Sequence, residues 1–197
     1  FSTGGGTLEL TGNGVVNLGG GTVDNLTVSG GDHNVTNLSV TGDLAMTGGS
    51  IDVQNNQTVT VGGDLLLTGG TLDFTNTSAG NELIDVAGNV TMTATAGAMT
   101  ATSTIETEGD WSANGNWTPI NGTVRLDGAG ITQLTGLAGD FELNFRNLEI
   151  VGGIREVAND LTLDIDTLLV DSASELRLND KSVTVPGSTL TIDGRLD

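Results

Sequence analysis

Residues 41–53 read TGDLAMTGGSIDV, and residues 62–74 read GGDLLLTGGTLDF. Set side by side from Gly42 and from Gly63, twelve positions carry seven identities, and the other five stay apolar or small. The front half of this unit belongs to a heptad that recurs: LSVTGDL from Leu38, VTVGGDL from Val59, IDVAGNV from Ile84 and IETEGDW from Ile105, with starts 21, 25 and 21 residues apart. An earlier copy, LTVSGGD, begins at Leu26, only twelve residues ahead of the next.

Self-similarity at this spacing is the signature of one supersecondary unit stacked on itself. The segments alternate with period 2, are rich in Val, Ile and Thr, and are interrupted by Gly every few residues, so helical repeats are excluded. The fixed Leu and Asn ladder of leucine-rich repeats is absent. The expectation is an all-β fold, a parallel β-helix (β-solenoid) with one coil per ~21–25 residues, right-handed by the usual chirality of parallel crossovers. Each coil holds two or three short strands, with Gly-Gly or Gly-Asp corners where a positive φ costs Gly little. Alternation then names the inward residues: Leu38, Val40, Leu44, Met46, Ile51, Val53, Val59, Val61, Leu65, Leu67, Leu72 and Phe74, and later Leu161, Leu163 and Ile165. About eight or nine coils at ~4.8 Å would stand roughly 40 Å tall. The period fades after residue 111, where WSANGNWTPINGT (111–123) breaks the alternation. The chain therefore reads as one solenoid over 1–197 with an irregular coil or loop at 111–123, or alternatively as two modules, 1–110 and 122–197.

Twenty-five acidic residues face six basic ones, for a net charge of −19. The basic residues are scattered, so nucleic acid and anionic membranes are not expected partners, since phosphate contacts carry most of such affinity. No apolar run approaches the ~18 residues that span a bilayer, and no membrane insertion is expected. Without a single Cys there is no disulfide framework or thiolate chemistry. The opening FSTGGG suggests a processed product or a segment of a longer chain.

The stretch GDWSANGNWTPINGTVRLDGAGITQLTG…FRNLEIVGG, within residues 109–153, resembles the glycine- and threonine-rich β-helix regions of large secreted bacterial surface proteins. These are autotransporter passengers, haemagglutinin-type adhesins and giant repeat proteins. The resemblance implies an extracellular or cell-surface location and a structural role as stalk, fibre or surface-layer element. Neither end of the chain looks like a polar cap, and open solenoid ends expose unpaired strand edges. Head-to-tail self-association, or continuation into further coils, is the expected consequence. The alternative is an adhesin module that grips a surface glycan or a protein receptor through its side or through the loop at 111–122.

Candidate sites follow from the same patterns. Stacked in register, Asp43, Asp64, Asn89 and Asp110 would form one column. Carboxylates ~4.8 Å apart repel by about 1 kcal/mol even in water, which hydration, protonation or a cation relieves. Ca²⁺ is the cofactor such a column would take, with Asp43, Asp64 and Asp110 as ligands. The competing reading has these side chains capping corner amides. GGSIDV and GGTLDF also depart from the calcium-binding G-G-x-G-x-D pattern by lacking its third Gly. N-x-S/T glycosylation triplets start at Asn25, Asn34, Asn37, Asn56, Asn76, Asn89, Asn116 and Asn121. Trp111 and Trp117 are candidates to stack on a sugar, or else to cover an irregular coil. His33, the only histidine, reads as a polar loop residue, and no acid–base constellation suggests an enzyme.

Overall fold

The computed structural model describes residues 4–17, 20–74, 81–93, 103–113, 120–135, 142–185 and 189–197. These residues contain no helix; parallel strands stack as a β-solenoid of about 7 turns. One sheet has 12 strands, running from Thr7–Leu10 through Leu44–Val53 and Trp111–Ala113 to Arg195–Leu196. The other has 10 strands, running from Leu38–Val40 through Thr104–Thr107 to Thr189–Ile192. Pairing crosses the stretch around residue 111 on both sheets, with Trp111 beside Leu134 and Ile105 beside Val124.

The duplicated stretch that opens the sequence explains how a coil turns. Leu44–Val53 and Leu65–Asp73 are long strands that each pass through a Gly-Gly bend, where the register between them shifts. Gly49 and Gly70 have φ of 70° and 83°. A Cβ on Gly70 would lie 2.6 Å from the Gly49 carbonyl oxygen. Only glycine fits such a backbone-on-backbone stack.

Alternation decides the core. All twelve inward residues expected between Leu38 and Phe74 are buried, as are Leu161 and Ile165; the Leu163 side chain lies outside the described set. Each such burial contributes about 1.5–3 kcal/mol, so the interior column of Leu, Val and Ile dominates stability.

Five expectations are corrected. About 7 turns stand where eight or nine coils were expected. Coils are not uniformly 21–25 residues long: successive corner residues from Asn25 are 18, 21, 25, 21 and 23 apart. The heptad at Leu26 is not the coil-mate of Leu38, because Leu26 pairs with Leu44 while Leu38 pairs with Val59. Strands of both sheets share the apolar–polar–apolar–small–Gly pattern, so the pattern alone misassigns the sheet. His33 is not in a loop: it lies inward in the strand Asp32–Thr36, with its Nε2–H donating to the Gly30 carbonyl at 2.9 Å. Trp111 is 0% exposed, in register with Val90 and Leu134. Its indole fills the interior position that Val or Leu takes in other coils, so it offers no sugar-stacking surface.

Candidate functional site

The corner preceding Leu44, Leu65, Val90 and Trp111 is built by a two-residue device, Gly followed by Asp or Asn. Asn25 Oδ1 accepts the Asp43 amide at 3.0 Å, and Asp43 Oδ1 accepts the Asp64 amide at 2.9 Å. Asp64 Oδ1 takes the Asn89 amide at 2.7 Å, and Asn89 Oδ1 takes the Asp110 amide at 2.8 Å. Asp110 Oδ1 finally takes the Gln133 amide at 2.7 Å. A side-chain oxygen of each coil thus fixes the corner of the next. The glycine beside it makes room: a Cβ on Gly63 would meet Asp43 Oδ1 at 2.3 Å, and one on Gly88 would meet Asp64 Oδ1 at 2.4 Å. The glycine amides continue the stack, Gly63 to Gly42 O at 2.9 Å, Gly88 to Gly63 O at 3.0 Å and Gly109 to Gly88 O at 3.1 Å.

The column expected from the sequence is therefore real, but its chemistry is amide capping. Asp43, Asp64 and Asp110 each commit an oxygen to a backbone N–H, and Asn89 separates Asp110 from the other two. Among the described residues, no group of three or more His, Cys, Asp or Glu is arranged to hold a metal ion.

The glycosylation triplets divide in the same way. Asn25, Asn56 and Asn89 use Oδ1 to cap the amides of Asp43, Asn81 and Asp110. Asn34 and Asn37 are exposed, and Asn37 and Asn56 hold φ of 48° and 56°. Asn76, Asn116 and Trp117 lie outside the described residues, as does the side chain of Asn121.

A second polar feature lies on the outer surface of the 10-stranded sheet. Asp85, Glu106, Arg125 and Glu149 are register partners on consecutive coils. Arg125 bridges Glu106 at 3.4 Å and Glu149 at 3.0 Å. Burial opposes its charge, yet these carboxylates overcome that and hold the guanidinium pKa above its usual value. Glu106 is pushed above the ordinary carboxylate range by burial and by the neighbouring Asp127 carboxyl, with Arg125 opposing. Asp85 is raised by burial and by Glu106.

Toward the C-terminal coils, arginines staple the stack. Arg177 reaches Glu175 at 2.9 Å and Glu156 at 3.3 Å, and Arg195 lies 3.7 Å from Glu175. The hydrogen bond from Arg177 holds Glu175 below the usual carboxylate range. The Ser182 amide and hydroxyl, at 2.8 and 3.2 Å, do the same for Asp160.

Sequence reasoning missed Arg155. It occupies an inward position in the strand Ile154–Val157 and is 0% exposed. The signal was present but needed the register. Gly42, Gly63, Gly88 and Gly109 each stand two residues before an interior Leu, Val or Trp; Thr132 and Arg155 stand two before Leu134 and Val157. A charged residue thus replaces a glycine of the corner column.

No protein-family model, no curated protein and no solved structure matches the chain.

Proposed function

We propose that the chain is an extracellular structural β-solenoid, a stalk, fibre or surface-layer element that joins end to end with a further solenoid. The observation that carries this is the unfinished interior at the C-terminal coil. The inward columns continue through Leu168 to Leu190 and through Leu176 to Leu196. There Leu190 is 53% and Leu196 48% exposed, around a small apolar cavity lined also by Leu178, Val183, Val185 and Ile192. At the opposite end the inward Leu8, Leu10 and Val16 are only partly buried. Apolar interiors laid bare together with free strand edges favour the addition of another coil, from a second copy or from further repeats. A heterologous contact that does not close gives a filament. The resemblance to secreted bacterial surface proteins carries the extracellular placement. The adhesin alternative loses Trp111 as a contact residue.

Light scattering and negative-stain electron microscopy at neutral pH test this reading. The unaltered chain is expected to form rods longer than one molecule, and the double variant Leu190→Asp, Leu196→Asp to give single short rods. A monodisperse monomer at high concentration would remove end-to-end stacking of copies.

A further inference from the structure

Arg155 is an unusual interior residue for a solenoid whose core is mostly aliphatic. Its Nε, Nη1 and Nη2 are all buried, and none has a hydrogen-bond partner. Two other buried atoms without a hydrogen-bond partner belong to the same neighbourhood, Thr132 Oγ1 and Asp127 Oδ1, although the Asp127 carboxyl as a whole also meets the Glu106 side chain. Thr132 is the register partner of Arg155 on the preceding coil, about 4.8 Å away along the stack. Asp127 begins the turn on which the Arg155 strand is seated. A Cβ on Gly153 would lie 2.2 Å from the Gly128 carbonyl oxygen, and the Ile154 amide bonds to Gly130 O at 2.9 Å.

A guanidinium presents five donors and no acceptor, an ionised carboxylate only acceptors, and a hydroxyl one of each. Leaving such groups dry and unpaired in an apolar interior is costly enough that native proteins almost never do it. Water answers this demand, because one molecule both accepts from a guanidinium and donates to a carboxylate or hydroxyl. A small anion answers it worse, since Asp127 and Asp110 both act on Arg155 and would repel it.

We propose that Arg155, Asp127 and Thr132 enclose an internal hydration site, in which ordered water bridges the guanidinium to Asp127 Oδ1 and Thr132 Oγ1 inside the solenoid. Burial lowers the Arg155 pKa, and Asp127 followed by Asp110 works against that shift, as a charge held among carboxylates requires. The bridged pair also fixes register. A coil carrying an inward Arg155 is satisfied only when stacked on the coil that supplies Thr132 and Asp127, whereas purely aliphatic coils would keep their faces through a two-residue slip.

The test combines a high-resolution crystal structure of the full chain with magnetic relaxation dispersion of water. The expected density shows water within hydrogen-bond distance of both an Arg155 nitrogen and Asp127 Oδ1. Arg155→Met is expected to remove at least one long-lived water from the relaxation profile. Thr132→Val, which keeps the side-chain shape, should shorten that water's residence while the protein stays folded. In denaturant unfolding, Arg155→Met and Asp127→Asn should be non-additive by about tenfold in the unfolding equilibrium. The inference is overturned by direct Arg155–Asp127 contact with no intervening water, by chloride density at the site with stability that rises on chloride titration, or by additive variants and an unchanged relaxation profile.

Discussion

At the scale of single residues, the corner ladder makes separable demands on its two members. The Asp64 oxygen serves the Asn89 amide, so Asp64→Ala should cost about 1 kcal/mol of stability. Asp64→Asn keeps an acceptor, as Asn89 itself does one coil later, and should cost clearly less. Urea unfolding of the two variants distinguishes capping from a purely electrostatic role, in which Asn would be as harmful as Ala. The glycines can be ranked in the same assay. Gly70→Ala combines a φ of 83° with a Cβ 2.6 Å from the Gly49 carbonyl oxygen, and should cost at least about 3 kcal/mol. Gly12→Ala meets nothing within 4 Å and needs no positive φ, so it should change stability by less than about 0.5 kcal/mol. Equal effects at the two positions would mean that the stacked bends do not constrain the chain.

At the scale of the strand, the charged row on the 10-stranded sheet gives a pH dependence with a definite sign. Glu106 has a folded-state pKa above its ordinary value, first through burial and then through Asp127. The fold therefore favours its protonated form. That contribution is complete below the ordinary carboxylate range and is lost as pH rises through the raised value. Glu106→Gln is neutral throughout, so it should gain on the parent as pH climbs toward neutrality and match or surpass it at pH 7. Its difference from the parent should shrink in acid. A difference in unfolding free energy that stays flat across this range would refute the assignment. Glu175 and Asp160 act in the opposite sense: their folded pKa values are depressed, and their contribution disappears as pH falls. The inward and outward sides of these strands were legible from alternation alone. Which residues stand beside each other on consecutive coils was not, because coil lengths vary from 18 to 25 residues and only the ladder fixes the offset.

At the scale of the whole molecule, charge opposes compaction. Twenty-five acidic groups meet six basic ones, and all six lie from Arg125 onward. The first part of the stack therefore has no cation of its own to offset repulsion between coils. Screening should help: the melting temperature is expected to rise when salt is raised from a few millimolar to about 0.5 M, where the Debye length drops below the spacing between coils. Any end-to-end assembly should strengthen under the same conditions, because like-charged rods approach more readily. A melting temperature that falls steadily with salt would show that the arginine staples, such as Arg125 with Glu106 and Glu149, outweigh the net repulsion.

The sequence by itself determined the solenoid, its inward residues and the glycine–carboxamide and glycine–carboxylate corners. Each of these is a local pattern that every coil repeats under the same physical constraint. It also placed Asp43, Asp64 and Asp110 in one column, since a repeat offset converts directly into stacking. Only the tertiary structure decided what that column does, because capping depends on which amide lies within 3 Å of an oxygen on another coil. It alone turned His33 and Trp111 inward, from the register of their strands rather than from their residue types. It alone disclosed Arg155, whose burial is decided by the neighbours that the stack brings above and below it, 20 or more residues away in the chain.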